Sequence, residues 1–426
     1  MDLLAERAAG TLPRGGSEAM VRRRRVVYVE GYDPQGAKGY HRLFLREWRR
    51  FLTVWPLQAS VGDLVIESEA FAHWRLSAAA PGWKVETQYD FLRLEHVIRP
   101  WMAAPTWAHL WRSLRWIADD LASLTFFRIF RASWRFGLHL LYPQLFILAW
   151  IAASVLAGAA AGRWLAATAL PWPLALTAGA AVAFLVGLAI RKVADRGFVI
   201  QISGGWPHLR AFARGRPTGF DAAVEAGAQR IVDAARDDAC DEVLILAHSA
   251  GTVLAPLVLA RALAIDPDLG RRGPRVVLMT LGAIMPGFAL HPAARRLREA
   301  LARVAQEPSI TWIDCQSRKD IMNFWDFDPI EDVGVRLAGA RVNPQIWTIR
   351  FRDMVSPQYY PRIRTNFFRL HFQFIMGNDR RAPYDFFMLV AGPVPAAEWP
   401  RQGHALVAAF DADAAYPSRE KQAPAA

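Results

Sequence analysis

Val243-Leu244-Ile245-Leu246-Ala247-His248-Ser249-Ala250-Gly251-Thr252-Val253-Leu254-Ala255 is the stretch whose reading decides the fold. Four branched apolar residues predict a short buried strand, and the small residues after the serine open a helix. The turn between them matches G-x-S-x-G, with Ala247 in the first glycine position. A serine on a strained strand-to-helix turn projects its hydroxyl above the sheet. Residues two positions away must be small, because strand and helix approach closely there, and alanine is the next smallest after glycine. The backbone N–H of Ala250 then points where an oxyanion would form.

Upstream, Arg22 to Arg25 precede Val26-Val27-Tyr28-Val29, read as a first core strand. The apolar run stops at Glu30-Gly31, too short for a secretory or twin-arginine signal. Gly31 and Gly36 have the spacing of a phosphate-binding loop, but Ala37 stands where its lysine belongs and no Ser or Thr follows Lys38. The better reading is a loop that supplies a second oxyanion donor, the Tyr32 N–H. Residues 40–55 read as a helix, 61–68 are ambiguous, and Trp83 to Tyr89 alternates as a strand.

Two apolar segments set this chain apart. Residues 143–162 and 171–190 are each twenty residues without a formal charge. As helices each is about 30 Å long, the thickness of a bilayer core. Arg128, Arg131 and Arg135 precede them, Arg191, Lys192 and Arg196 follow, and only Arg163 lies between. The positive-inside rule places both termini and the soluble chain in the cytoplasm. The expectation is an integral protein of a bacterial inner membrane. Gly158, Gly162, Gly179 and Gly187 would let the two helices pack closely. Before the hairpin, Trp107, Trp111, Trp116, Phe126, Phe127, Phe130 and Trp134 interleave with Arg112, Arg115, Arg128, Arg131 and Arg135. That mixture suits a headgroup layer, where aromatic rings sit and arginine snorkels.

Composition agrees. The chain has 426 residues, 53% hydrophobic, with 17 Trp and a formal net charge of +12. Such a charge calls for an anionic partner, and the apolar segments favour a membrane surface over nucleic acid. Two cysteines, Cys240 and Cys315, exclude a disulfide framework. No metal-ligand spacing occurs and no cofactor is expected. Asp326 and Asp328, in Trp-Asp-Phe-Asp-Pro, read as a turn.

After the hairpin, Phe198 to Ile202 reads as a short strand or a linker, broken by Gly204-Gly205-Trp206-Pro207. Residues 221–236 form a helix. Strands at Arg275 to Leu281, Ser309 to Asp314 and Gln345 to Phe351 alternate with helices from Gly251 to about Ala264 and over 293–305. Strand–helix alternation predicts an α/β fold with a mostly parallel sheet covered on both faces. The expected organisation is a disordered tail (1–20), a first part of the catalytic domain (21–104), an interfacial helix and transmembrane hairpin (105–196), the main catalytic domain (197–410), and a second tail (411–426).

A serine at neutral pH needs a base, and the base an orienting acid. An acid is expected just past a strand downstream of the serine, then a histidine. Asp320 is preferred over Asp314, because an acid on the loop beyond a strand reaches over the sheet edge. His371, among Phe367, Phe368, Phe372 and Phe374, is preferred as base, with His404 second. His248 is expected to point to the other side of the turn, and His291 is out of order.

VVYVEGYDP, LILAHSAGTVLAPLV, VVLMTLGAI, ITWIDCQSRKD and the late His371 resemble the alpha/beta-hydrolase superfamily on its lipase and esterase side. The resemblance covers roughly 26–90 and 198–395. It implies Ser249 as nucleophile, Asp320 as acid, His371 as base, and oxyanion donors at Ala250 and Tyr32. Two features depart from the family's pattern. Glu30 replaces the usual histidine before Gly31, and the hairpin falls before the serine turn, where it would be an anchor and not a lid. The implied activity is a membrane-anchored serine hydrolase acting on an ester or thioester of an amphiphilic or lipid substrate. A catalytically silent membrane scaffold and an acyltransferase with the same residues are the alternatives.

Overall fold

The apolar run before the serine is strand β6 (Glu242–His248), buried at every residue. It lies between β1 (Arg23–Val29) and β7 (Arg275–Leu281), parallel to both. The computed structural model describes residues 20–168 and 170–417, so all but the last residue of the tail expected at 1–20, and residues 418–426 of the one expected at 411–426, lie outside the described residues. Beyond β7 come β8 (Ile310–Gln316) and β9 (Gln345–Thr348), also parallel. On the other side, β5 (Trp83–Leu92) runs parallel to β1. Then the direction changes. β4 (Phe71–Ala80) is antiparallel to β5, and β2 (Gln58–Val61) and β3 (Val65–Ile66) are antiparallel to β4.

The nine-stranded sheet is therefore mixed, in the order β2-β4-β5-β1-β6-β7-β8-β9 with β3 on β4. The expectation of a mostly parallel sheet missed this antiparallel edge. Its key strand reads FAHWRLSAAA, and alanine is a poor strand former. Yet Ala72, Trp74, Leu76 and Ala78 are all buried, a period of two that the alanines disguised.

In chain order the helices are α1 (Gly36–Leu52), α2 (Glu95–Met102), α3 (Thr106–Ala122), α4 (Thr125–Ala132), α5 (Trp134–Ala167), α6 (Trp172–Arg196), α7 (Val199–Ala213), α8 (Phe220–Ala235), α9 (Gly251–Ile265), α10 (Met285–Ala289), α11 (Arg295–Ala305), α12 (Phe351–Met354), α13 (Tyr360–Ile363), α14 (Phe367–His371), α15 (Phe386–Ala391) and α16 (Trp399–Ala409). Two compact units result: Met1–Ile98 with Phe212–Ala426, and Arg99–Ala211.

In the first unit the alternation of side chains covers both sheet faces. Val26, Tyr28, Leu244, Leu246, Val277 and Met279 share one core with α1, α15 and Trp399. The opposite face, with Val27, Ile245 and Leu278, meets α8, α9 and α11. The segment from Asp411, expected to be a tail, is in place as far as Pro417. Ala414 is buried and its carbonyl accepts a hydrogen bond of 2.8 Å from the Trp83 indole.

A buried ion pair ties this unit together. Arg24 Nε donates to Glu242 Oε2 at 2.6 Å, and both side chains are fully buried. The same guanidinium donates to the carbonyls of Gly392 and Val394, while Glu242 accepts from the Ala396 N–H. Removing one partner strands the other charge in the core, at a cost of about 3–5 kcal/mol. Arg24→Met is expected to lower the thermal midpoint in detergent sharply, and Arg24→Met with Glu242→Leu to recover much of the loss. Unchanged melting of the single variant would show the pair to be dispensable.

In the second unit, α5 contains the span predicted at 143–162, and α6 takes in all but the first residue of the one predicted at 171–190 and runs on past its end. At 34 and 25 residues they are about 51 and 38 Å long. They are long and apolar enough to cross a membrane, and only 17% and 11% of their most apolar windows is buried. A soluble core therefore does not account for their composition. They meet through glycine: a Cβ on Gly158 would lie 2.7 Å from Ala183 Cβ, and one on Gly179 2.6 Å from the Gly158 carbonyl. The segment expected to be a strand or linker at 198–202 is helical instead. It is the start of α7, which runs on through Gly204-Gly205-Trp206-Pro207. Ser203, Trp206, His208 and Leu209 are buried there, and that packing overrides the local breakers.

Candidate functional site

β6 ends at His248, and Ser249 turns the chain into α9 with a φ of 54°, left-handed for a residue that is not glycine. Such a conformation costs about 1–3 kcal/mol, and the surroundings must over-determine it. Here the Ser249 N–H donates to the Leu281 carbonyl at 3.1 Å, and its own carbonyl accepts from the Thr252 hydroxyl at 2.6 Å. The next turn of backbone is equally constrained. A Cβ on Gly251 would fall 2.2 Å from the Val29 carbonyl oxygen and 2.6 Å from that of Glu30. The second small position of the motif is therefore strict. The first is looser: Ala247 is fully buried between Val29 and Thr280 of the flanking strands, with its methyl accommodated.

His371 ends α14 and is buried. Its Nδ1 lies 2.7 Å from Asp320 Oδ2. A carboxylate only accepts, so Nδ1 carries the proton and Nε2 the lone pair. That Nε2 is buried and has no hydrogen-bond partner among the described residues. The ring sits against the end of β7. A Cβ on Gly282, whose φ is 57°, would lie 3.1 Å from His371 Cε1. The Ser249 backbone N–H and the His371 ring thus meet the same dipeptide, Leu281-Gly282, at the end of β7.

Asp320 is buried on the loop after β8. Its Oδ1 accepts from the Met322 N–H at 2.8 Å, leaving Oδ2 for His371. Asn323 fastens this loop. It donates to the carbonyls of Ser317 and Asp320 and accepts from the Ser317 N–H. Asp314 is occupied elsewhere. One oxygen takes the Thr280 hydroxyl and the other the Gln316 amide, and burial pushes its carboxyl up to about 6. The structure thus pairs His371 with Asp320 and not with Asp314. His404 is exposed on α16 and lines a cavity of about 370 Å³ with Trp347, Tyr384 and Trp399; Ser249, Asp320 and His371 are not among its lining residues.

His248 does more than the sequence reading allowed. It is buried, and its Nε2 donates to the His371 carbonyl at 3.1 Å. The two imidazoles lie 4.7 Å apart, centroid to centroid. Burial, then the neighbouring His371, hold its pKa well below the usual value, so it is a neutral donor. Adjacency to the serine in sequence gave no hint of this, because the partner carbonyl is 123 positions away. Asn323 was equally hidden, though its place three residues after Asp320 is a spacing that could have drawn notice.

Gly31, which precedes one expected oxyanion donor, lies beside the other. A Cβ on Gly31 would lie 3.5 Å from Ser249 Cβ and 3.9 Å from the Ala250 nitrogen. Tyr32, the next residue, therefore belongs to the turn beside the serine. Glu30 takes no part there. It is buried and accepts from the Leu94 N–H at 2.9 Å, with its pKa raised well above the carboxylate range, chiefly by burial. Its role is to tie the end of β1 to the chain leaving β5.

Among the described residues one trio, Glu67, His73 and Asp90, brings its donor atoms within 4.8 Å. Arg230 already donates to both acids, and Arg25 to Asp90. Those arginines supply the positive charge that a metal would bring. Asp326 and Asp328 sit in a turn whose N–H groups, from Ile330 and Glu331, Asp328 accepts.

Comparison of the chain with protein-family models, with curated proteins and with solved structures finds no match. What the geometry defines by itself is an α/β protein with a strained serine turn, a carboxylate-bonded histidine against the same strand end, and two helices able to cross a membrane.

Proposed function

We propose that this protein is a membrane-anchored serine hydrolase of the alpha/beta-hydrolase kind. It cleaves an ester or thioester of an amphiphilic acyl substrate through an acyl-enzyme on Ser249. One observation carries the reading: a buried histidine, oriented by a carboxylate at 2.7 Å, keeps a ring nitrogen without a partner among the described residues and packs at the strand end that also binds the backbone of a serine in a left-handed turn. No structural role of His371 needs that combination, and a general base does.

In the proposed reaction His371 Nε2 takes the Ser249 hydroxyl proton as Oγ attacks the substrate carbonyl carbon. The carbonyl oxygen becomes an oxyanion, received by the N–H groups of Ala250 and Tyr32. Collapse breaks the bond to the alkoxide or thiolate, which leaves with the proton from His371. Water then attacks the acyl-enzyme by the same route, releasing the acid and restoring Ser249. Asp320 stays ionised and stabilises the imidazolium formed in each half. His248 and Asn323 are positioning residues, acting on the His371 backbone and the Asp320 loop.

The lipid partner and the location rest on α5 and α6 and on the arginine asymmetry around them. Those features support a hairpin anchor in a bacterial inner membrane, with the soluble chain on the cytoplasmic side. The decisive test treats the full chain in detergent with a fluorophosphonate probe. Wild type is expected to label at Ser249 and Ser249→Ala to stay unlabelled. An unlabelled wild type would overturn the reading in favour of a silent scaffold. Product analysis with competing alcohols then separates hydrolysis from acyl transfer.

A further inference from the structure

The Arg99–Ala211 unit is built inside out well beyond the two long helices. On α3, the residues facing inward are His109, Ser113, Trp116 and Asp120, spaced four, three and four apart. Three of the four are polar. The outward positions are Trp107, Trp111, Leu114 and Leu121, at 71, 57, 38 and 49% exposure. α4 buries Thr125 and Ile129, while Leu124, just before it, and Phe127 are exposed.

Much of the polar interior is paired from within. Arg210 donates to Asp119 and Asp120, and Asp120 also accepts from the Trp116 indole at 2.6 Å. Ser113 donates to the His109 carbonyl, and His109 Nε2 to that of Met102. This interior needs a low-polarity exterior to justify it, since in water the same helix would gain by turning its tryptophans inward. At 17 residues α3 is about 25 Å long, and it carries Arg112, Arg115, Asp119 and Asp120, so it does not span a bilayer. Helices of this length and pattern lie in the interface plane.

Charge decides which interface. Arg115, Arg128 and Arg131 are exposed among these apolar residues, while of the two acids on α3 Asp120 is buried and the half-exposed Asp119 is paired with Arg210. The platform is also continuous with the apolar pair: Arg191 of α6 donates to the Thr106 hydroxyl at the start of α3, and α4 packs on α5.

We propose that α3 and α4 form a second membrane contact, an in-plane platform that inserts Trp107, Trp111 and Leu121 among the acyl chains and binds anionic lipid headgroups through Arg115, Arg128 and Arg131. This rests on the reading of α5 and α6 as membrane-spanning and is independent of the reaction. An acidic partner protein or a second copy of the chain would cover the same face differently, and the test separates them.

Both native cysteines are buried, so an introduced cysteine can be labelled selectively. The full chain carrying Trp111→Cys, Leu156→Cys or Lys84→Cys is labelled with an environment-sensitive fluorophore and reconstituted into vesicles of phosphatidylcholine and phosphatidylglycerol. Spin-labelled lipids quench from the membrane, and iodide quenches from water. The proposal expects position 111 to be quenched by a label near the headgroup, position 156 by one deep in the chains, and position 84 by iodide alone. Quenching of 111 by iodide as strongly as 84 overturns the proposal, and so does protection of 111 from both quenchers, which would mean a protein cover. If 156 also escapes the lipid quencher, the membrane-spanning reading fails with it. For the charge, the same spin label is carried on either lipid. Quenching at 111 is expected to favour phosphatidylglycerol by about fivefold, the scale of one arginine's attraction to an anionic surface. The preference should vanish in the triple variant Arg115→Gln, Arg128→Gln, Arg131→Gln. Equal quenching by the two lipids in wild type removes the headgroup half of the proposal.

Discussion

Asp320→Asn is expected to lower kcat for a simple ester about ten-thousandfold while leaving KM nearly unchanged. The amide can still occupy the loop, because Oδ1 accepts from Met322 and the Asn323 contacts are to backbone. What it cannot do is hold Nδ1–H and stabilise an imidazolium. It would favour the tautomer that places the proton on Nε2, where the lone pair is needed. Asp314→Asn makes the contrast. Its carboxyl is bonded to Thr280 and Gln316 beneath the strand end, so the loss there should appear in thermal stability, with kcat per folded molecule within a fewfold of wild type. Steady-state kinetics beside melting curves in detergent read both. Equal kcat losses for the two variants would mean that the hydrogen bond to His371 is not what matters.

Gly251→Val is expected to be the most damaging single change at the serine turn. Even the first added carbon meets backbone oxygen at 2.2 Å, and neither β1 nor α9 can yield without opening the parallel ladder beside β6. Overpacking of a rigid site costs on the order of 3 kcal/mol or more, a large share of a domain's stability. Loss of folded protein in size-exclusion chromatography and a collapse of the melting midpoint are the readouts. Ala247→Gly should do little by comparison, costing roughly 0.5–1 kcal/mol from added backbone freedom, with probe labelling at Ser249 retained. If Gly251→Val melts like wild type, the close approach of α9 to β1 is not a real constraint.

Much of this arrangement was legible in the chain. The buried run of β6 and the small residues around Ser249 are local signals, and local sterics alone dictate that geometry. The two long apolar helices were equally plain, because hydropathy over twenty residues outweighs any local ambiguity. Less legible were the elements stabilised only by their neighbours. β4 hid behind alanines, and α7 ran through two glycines and a proline that read as a break. In both cases packing decided, since propensity is worth tenths of a kilocalorie per residue and burial of a tryptophan or leucine several times that.

Residue types and their order in the chain singled out Ser249, Asp320 and His371 as the residues to watch. Order does not distinguish one acid from another, and only the tertiary structure shows Asp320 bonded to His371 while Asp314 spends its oxygens on Thr280 and Gln316. Nor does sequence show that His248 holds the backbone of His371, that Asn323 fastens the acid loop, or that α3 turns Trp107 and Trp111 outward. Backbone sterics and apolar periodicity act between near neighbours and can be read along a chain, whereas the hydrogen bonds of His371 to Asp320 and of His248 to His371, across 51 and 123 positions, exist only once the sheet has brought their ends together.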